Sequence, residues 1–179
     1  VETLLHAFLP HKFIDHTHSN AILAIVDQTN GCDLCYEVFG DFMGIVPYIM
    51  PGFALAKEAA KVYREKPSVN GLILLNHGIF TFAETAKDAY GSMIRMVTRA
   101  EKFLLKRKKK KFSLVKLPKA FAPLHEVAPI LRGLSFYEGK RLILDFRTST
   151  KIKAFVGGKH LGRYANQGTA TPDHVIRTK

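Results

Sequence analysis

The chain has 179 residues, of which 47% are hydrophobic and 23% are charged, and its mean hydropathy is near zero. This length suits one domain with a substantial buried core, or one domain with an appendage. The sequence contains no run of about 18 apolar residues, so a membrane-spanning helix is not expected. No signal peptide is visible, and a chain that starts within a domain would not show one.

The formal charge of +12 is divided unevenly along the chain. Residues 1–100 contain 8 basic and 10 acidic residues, whereas residues 101–179 contain 19 and 5. Residues 106–111 are all basic, and because like charges repel and stay solvated, this run predicts a helix end and a linker. Nucleic-acid binding is the less favoured interpretation, since no aromatic residues alternate with these cations. We predict three parts: a domain at 1–105, a basic linker at 106–116 and a C-terminal α/β segment at 117–179.

In chain order, the hydrophobic pattern predicts alternating strands and helices. Strands are predicted at 13–18, 72–75, 79–82 and 141–146. Helices are predicted at 20–26, 33–38, 53–65, 123–131 and 151–164, with a long helix after residue 85. Ser19 is the expected N-cap of the first of these helices, and Thr85 with Asp88 predicts the start of the long one.

Three histidines lie at the ends of two predicted strands. His16 and His18 are separated by one residue, and alternate residues of a strand point to the same face. His77 comes after a short apolar run that is typical of a buried strand. Three protein ligands with an open position are typical of a catalytic zinc, whereas structural zinc normally has four. A His-x-His also arises by chance, so the pattern alone leaves a metal site and ordinary histidines as equal alternatives.

Cys32 and Cys35 form a Cys-x-x-Cys sequence. Such a pair is found in redox sites and as half of a zinc site, but no second pair and no preceding strand accompany it. We therefore predict two ordinary, partly buried cysteines on a helix. The absence of a disulfide framework favours a reducing, cytoplasmic setting.

A series of motifs around the histidines resembles the class II aldolase/adducin family. The motifs are Glu2-Thr3-Leu4-Leu5-His6, His16-Thr17-His18-Ser19, Val46-Pro47-Tyr48, Pro51-Gly52-Phe53 and Leu75-Asn76-His77-Gly78. The resemblance is strongest to the aldolase half of bifunctional rhamnulose-phosphate aldolase/dehydrogenase proteins. The ending at residues 171–179 is similar to the segment that follows the aldolase domain there. The resemblance implies an α/β fold with a central mixed sheet covered by helices.

The resemblance also implies a site. In that family three histidines bind zinc, which here would be His16, His18 and His77. A glutamate four residues before another histidine acts as the acid/base, which here would be Glu2, with His6 as its companion and no role assigned to it. The implied reaction is cleavage of a phosphorylated ketose, such as rhamnulose 1-phosphate, through a metal-stabilised enediolate. A homo-oligomeric cytoplasmic enzyme is expected.

Two alternatives remain open within this resemblance. An epimerase or decarboxylase would use the same metal and the same kind of intermediate. An adducin-like protein would use the fold for protein contacts without catalysis. The presence of all three histidines and Glu2 argues against the second alternative, because a scaffold does not need them.

Two features of the bifunctional proteins are missing from the sequence. The chain begins at Val1, without the Gly/Ser/Thr-rich loops that precede the glutamate in the family and bind the substrate phosphate. The Gly-x-Gly-x-x-Gly fingerprint of a dehydrogenase is also absent. We therefore expect a fragment that binds zinc and self-associates but turns over little substrate.

Overall fold

The structure is a computed structural model that describes residues 3–107, 115, 122–171 and 173–174. The chain divides into two compact units. Unit 1 comprises Val1–Lys108 together with Gly168–Lys179, and unit 2 comprises Lys109–Gln167. Across the described ranges, no helix combines the length and the apolar character that a membrane span requires.

Unit 1 is built on a four-stranded mixed sheet. Its strands are β1 (Phe13–Thr17), β2 (Gly44–Val46), β3 (Gly71–Leu74) and β4 (Gly78–Ala83). The strand order is β1-β4-β3-β2, with β4 antiparallel to both of its neighbours and β2 parallel to β3. The predicted α/β fold with a central mixed sheet is thereby confirmed.

Helices cover both faces of this sheet. They are α1 (Thr3–Phe8), α2 (Asn20–Val26), α3 (Gly31–Phe39), α4 (Phe53–Glu65) and α5 (Ala86–Lys106), with a 3-10 turn at Gly40–Phe42. Side chains of β3 alternate between the faces: Leu72 and Leu74 pack in the core on the α1 and α4 side, and Ile73 packs in the core on the α2, α3 and α5 side. Burial on both faces explains why β3 is a continuous apolar run.

The two predicted N-cap residues are found at the starts of their helices, but only one of them makes a capping hydrogen bond. Ser19 occupies the N-cap of α2, but its side chain makes no capping hydrogen bond. At the start of α5, the backbone N–H of Asp88 donates to the Thr85 hydroxyl at 3.1 Å, and that hydroxyl donates to the Asp88 carboxylate at 2.6 Å. The predicted cap of α5 is therefore confirmed, and it fixes where the longest helix of the unit begins.

Unit 2 contains α6 (Leu124–Leu134), α7 (Thr150–Val156) and α8 (Leu161–Tyr164). The prediction of a strand at 141–146 is wrong. In the described part of this unit, strand-type backbone pairing is limited to a single bridge between Tyr137 and Lys140. Ile143, within the predicted strand, is 92% exposed. An alternating sequence cannot form a strand without a neighbour that accepts and donates its backbone hydrogen bonds.

The helix predicted at 151–164 is divided into α7 and α8. Gly157 ends α7, and a side chain on Gly158 would overlap the ring of Tyr164. The Tyr164 hydroxyl donates to the Phe155 carbonyl at 2.7 Å, and the two aromatic rings lie 4.8 Å apart. The absence of a side chain on Gly158 therefore allows α8 to fold back onto α7, so a continuous helix is not formed.

Replacing Thr85 by alanine should lower the free energy of unfolding by about 1 kcal/mol, because it removes the side-chain acceptor for an N–H at the start of α5. Urea denaturation followed by circular dichroism measures this change. Thr85→Ser is the matched control, since it keeps the hydroxyl and should stay close to wild type. An equal loss in both variants would show that packing of the Thr85 methyl group matters and the cap does not.

Candidate metal centre

The three histidines of the sequence motifs lie at one end of the sheet. His16 is on β1, His18 follows its last residue, and His77 is in the loop between β3 and β4. In the antiparallel pairing of β1 with β4, Thr17 lies opposite Ile79. The end of β1 is therefore beside the start of β4, and this brings the His-x-His next to the loop that carries His77.

A tight turn presents His77. β3 and β4 are joined by residues 75–77, and Asn76 has a left-handed φ of 55°, which asparagine tolerates better than most residues. The His77 backbone N–H donates to the Leu74 carbonyl at 3.2 Å. The Asn76 side chain hydrogen-bonds the Asp27 carboxyl at the end of α2. Partial burial raises the pKa of Asp27, and the hydrogen bond from Asn76 opposes this rise. The turn is thus held from two sides, and the His77 side chain is buried within unit 1.

The imidazole rings converge closely enough to share one cation. One nitrogen from each of His16, His18 and His77 lies within 4.8 Å of the other two. His16 Nε2 and His18 Nε2 are 3.0 Å apart. Two ligands of a tetrahedral zinc with bonds near 2.0–2.1 Å are separated by about 3.3 Å. The donor set therefore fits a cation that prefers imidazole nitrogen.

The His16 ring is fixed by its surroundings. Its Nδ1 donates to the Ile79 carbonyl at 3.0 Å, so its Nε2 carries the lone pair and faces His18. The ring stacks on Phe80, with centroids 4.0 Å apart and an angle of 13° between the planes. A backbone acceptor behind a ring nitrogen is the usual way in which a metal-binding histidine is oriented.

Gly78 leaves room for the two neighbouring rings. A Cβ atom at this position would lie 2.6 Å from the Thr17 carbonyl oxygen, 3.2 Å from the His18 ring and 3.3 Å from the His16 ring. Any side chain here would press on the strand pairing and on both imidazoles. The glycine after His77 is thus a requirement of the site's geometry.

His18 has a partner that the sequence did not indicate. Its Nδ1 lies 3.6 Å from Oδ2 of Asp173, in the C-terminal part of unit 1. The sequence offered only a resemblance for residues 171–179 and no periodicity or spacing that links them to residue 18. A contact between distant parts of the chain leaves no local pattern.

The cluster does not include the nearby polar residues Asp15 and His11. Glu2 lies outside the described residues. Asp15 precedes His16 on β1 and so faces the opposite side of the sheet, together with Thr17, whose hydroxyl donates to the Met93 sulfur at 3.3 Å. His11 stacks on Phe82 at 4.3 Å, away from the cluster.

The two cysteines have unequal exposure. Cys32 is exposed and Cys35 is buried, and both are free thiols on α3. Burial, with a smaller effect of the neighbouring Cys32, raises the pKa of Cys35 to about 12. Within the parts of the chain that the structure describes, the three-histidine cluster is the one group suited to a metal ion, and it includes neither thiol. The cysteines behave as ordinary helix residues.

Comparison with known proteins assigns both parts of the chain to known sequence families. Residues 1–104 match the family model for the Class II Aldolase and Adducin N-terminal domain, and residues 122–179 match that for Aldolase class II, second domain. The chain is 32% identical over 186 residues to the Uncharacterized oxidoreductase YuxG of Bacillus subtilis (strain 168). That alignment covers 100% of the chain but 27% of the relative, so the chain spans about a quarter of its length.

A solved structure also resembles the chain. It is the N-terminal Class II Aldolase domain of a conserved protein from Thermoplasma acidophilum, with 44% sequence identity and a TM-score of 0.53. The similarity covers 57% of this chain and 47% of that one.

The exposure of the two cysteines predicts selective alkylation. With iodoacetamide at pH 8, Cys32 should react and Cys35 should not, because a buried thiol with a raised pKa stays protonated and covered. Mass spectrometry should find one label per folded chain and two after denaturation in urea. Two labels on the folded protein, or one label on Cys35, would contradict this description of α3.

Proposed function

Since the chain belongs to the class II aldolase and adducin family, we propose that it is a zinc-dependent aldolase acting on a phosphorylated ketose of the rhamnulose 1-phosphate type. The proposed metal ligands are His16, His18 and His77, and the proposed acid/base is Glu2. The observation that carries the proposal is the convergence of three imidazoles from β1 and the β3–β4 loop within 4.8 Å. A homo-oligomeric assembly in the cytoplasm is part of the proposal, by resemblance to the family.

The ligand set suits the reaction. Three neutral imidazoles leave the full positive charge of a divalent cation in place, and imidazole is a preferred ligand of zinc. Bound there, such a cation would polarise a ketone and stabilise the negative charge that develops when the neighbouring C–C bond breaks. Aldol cleavage needs this kind of stabilisation more than it needs a protein nucleophile.

The surrounding residues support this role by holding the ligands still. The Ile79 carbonyl fixes the tautomer of His16, and the Phe80 ring covers one face of its imidazole. His77 is only 4% exposed, so its ring is shielded from water. Ligands held in this way lose little freedom when they bind a cation. A domain that serves only for protein contacts has no use for such an arrangement.

Glu2 is proposed as the acid/base by resemblance to the family. Glu2 directly precedes α1 in the sequence, and His6 of that helix approaches Phe80 with ring centroids 6.1 Å apart. Phe80 is also the ring on which His16 stacks. In this role the Glu2 carboxylate would take a proton from the substrate hydroxyl and return it to the carbon that loses its C–C bond.

Removing one proposed ligand should remove most of the metal. Wild-type protein should retain about one zinc per chain after dialysis, and His77→Ala should retain little, because two imidazoles chelate more weakly than three. Elemental analysis by mass spectrometry measures the ratio. His125→Ala, which changes an exposed histidine of unit 2, is the matched control and should keep the zinc. Equal zinc in wild type and His77→Ala would overturn the three-histidine site.

The proposed acid/base should be separable from the metal ligands. In a version of the protein that carries the phosphate-binding loops, Glu2→Gln should retain zinc but lower kcat for cleavage of rhamnulose 1-phosphate by about 10²–10⁴-fold, the usual contribution of a general acid/base. Zinc content and steady-state kinetics on the same preparations test both parts of this expectation. A fully active Glu2→Gln enzyme would show that another group transfers the proton.

A further inference from the structure

A carboxylate from the C-terminal end of the chain faces one of the proposed ligands from behind. Asp173 Oδ2 lies 3.6 Å from His18 Nδ1, and the other ring nitrogen, Nε2, faces His16 Nε2 at 3.0 Å. Asp173 is therefore on the far side of the imidazole from the cluster. It is not one of the residues that converge there in the described part of the chain.

A compact turn presents this carboxylate. Thr171 is 6% exposed and anchors the turn. The backbone N–H of His174 donates to the Thr171 carbonyl at 3.2 Å, and the Thr171 hydroxyl lies 2.8 Å from His174 Nδ1. The side chains of His18 and Asp173 are 12% and 43% exposed, so the contact between them is only partly open to solvent. A carboxylate in such surroundings influences a neighbouring ring more strongly than one on the open surface.

We propose that Asp173 is a positioning residue for the metal ligand His18, an inference that rests on the proposed metal centre. A carboxylate beside Nδ1 favours the tautomer with the proton on that nitrogen, and this leaves the Nε2 lone pair directed at the cluster. The Ile79 carbonyl does the same for His16. Two proposed ligands are thus oriented by acceptors behind them, one from the sheet and one from the C-terminal turn.

This arrangement has an electrostatic consequence. His16 Nε2 and His18 Nε2 are 3.0 Å apart and hydrogen-bonded, and because the His16 proton is on Nδ1, His18 Nε2 is the donor. Binding of a cation to both Nε2 atoms therefore requires the His18 proton to move to Nδ1, the nitrogen that faces Asp173 at 3.6 Å, and a carboxylate there favours that tautomer. Asp173 also adds a negative charge behind the ring, which makes His18 a stronger donor to a cation. The residue therefore raises metal affinity without binding the metal.

The test is the affinity of the 179-residue chain for Zn²⁺, measured in competition with a chromophoric chelator. Asp173→Ala should raise the Kd for zinc by about 10–100-fold, the usual effect of losing a partner behind a metal ligand. Asp173→Glu keeps the carboxylate and should recover much of the affinity. Asp145→Ala is the matched control, since it removes an exposed carboxylate of unit 2 that pairs with Arg147, and it should leave the Kd unchanged.

A second measurement reports on the His18 ring itself. In zinc-loaded wild type, nuclear magnetic resonance should detect a slowly exchanging proton on His18 Nδ1, and this signal should be lost in Asp173→Ala and kept in Asp173→Glu. A merely structural role for the turn would not produce this selective loss. Thermal unfolding of the variants verifies that they are folded.

The two proposals fail in different ways. If wild type and His77→Ala show the same zinc binding, the three-histidine site is overturned and the role of Asp173 with it. If wild type binds zinc through the histidines and Asp173→Ala has the same Kd, only the positioning role is overturned. The same loss of affinity in Asp145→Ala would also overturn it, because the effect would then be one of general charge.

Discussion

The register between β1 and β4 is the constraint on which the candidate site depends. Thr17 lies opposite Ile79, and because the strands are antiparallel, the His-x-His at the end of β1 lies beside the loop that precedes β4. A slip of one residue would turn His16 to the α5 side and separate it from His77. Burial of both sheet faces makes such a slip costly, since it would also move Ile14 out of its apolar core. The packing of the whole sheet thus fixes the geometry of three side chains.

The same register supplies the neighbours of those side chains. It places the Ile79 carbonyl behind His16, the Phe80 ring against its imidazole, and the unsubstituted Cα of Gly78 beside His16 and His18. These three contacts come from consecutive residues of β4. The Ile79 carbonyl orients the His16 ring, the Phe80 ring covers it, and Gly78 leaves room for both imidazoles. A metal site needs all three, because a ligand that is correctly placed but free to rotate binds weakly. β4 therefore organises the site while providing none of its proposed ligands.

Much of this structure could be predicted from patterns within a few residues of sequence. Features that depend on contacts between distant residues could not. The helix at Phe53–Glu65 and the buried strand β3 follow from periodicities within a few residues, and the three histidines stood out by their spacing. The strand expected at 141–146 failed because pairing depends on a partner elsewhere in the chain. Asp173 had no local signal for the same reason. The role of Glu2 comes from family resemblance alone, so it stays a prediction.

The contact between Asp173 and His18 joins two parts of the sequence that match different family models, one at residues 1–104 and one at 122–179. If docking of the C-terminal turn strengthens metal binding, then metal binding strengthens docking by the same free energy, since coupling between two equilibria is reciprocal. A tenfold change in affinity corresponds to about 1.4 kcal/mol, so docking of the turn and metal binding would stabilise each other by this amount. The order of the C-terminal turn would then depend on the metal, and a segment distant in sequence would report whether the site is loaded.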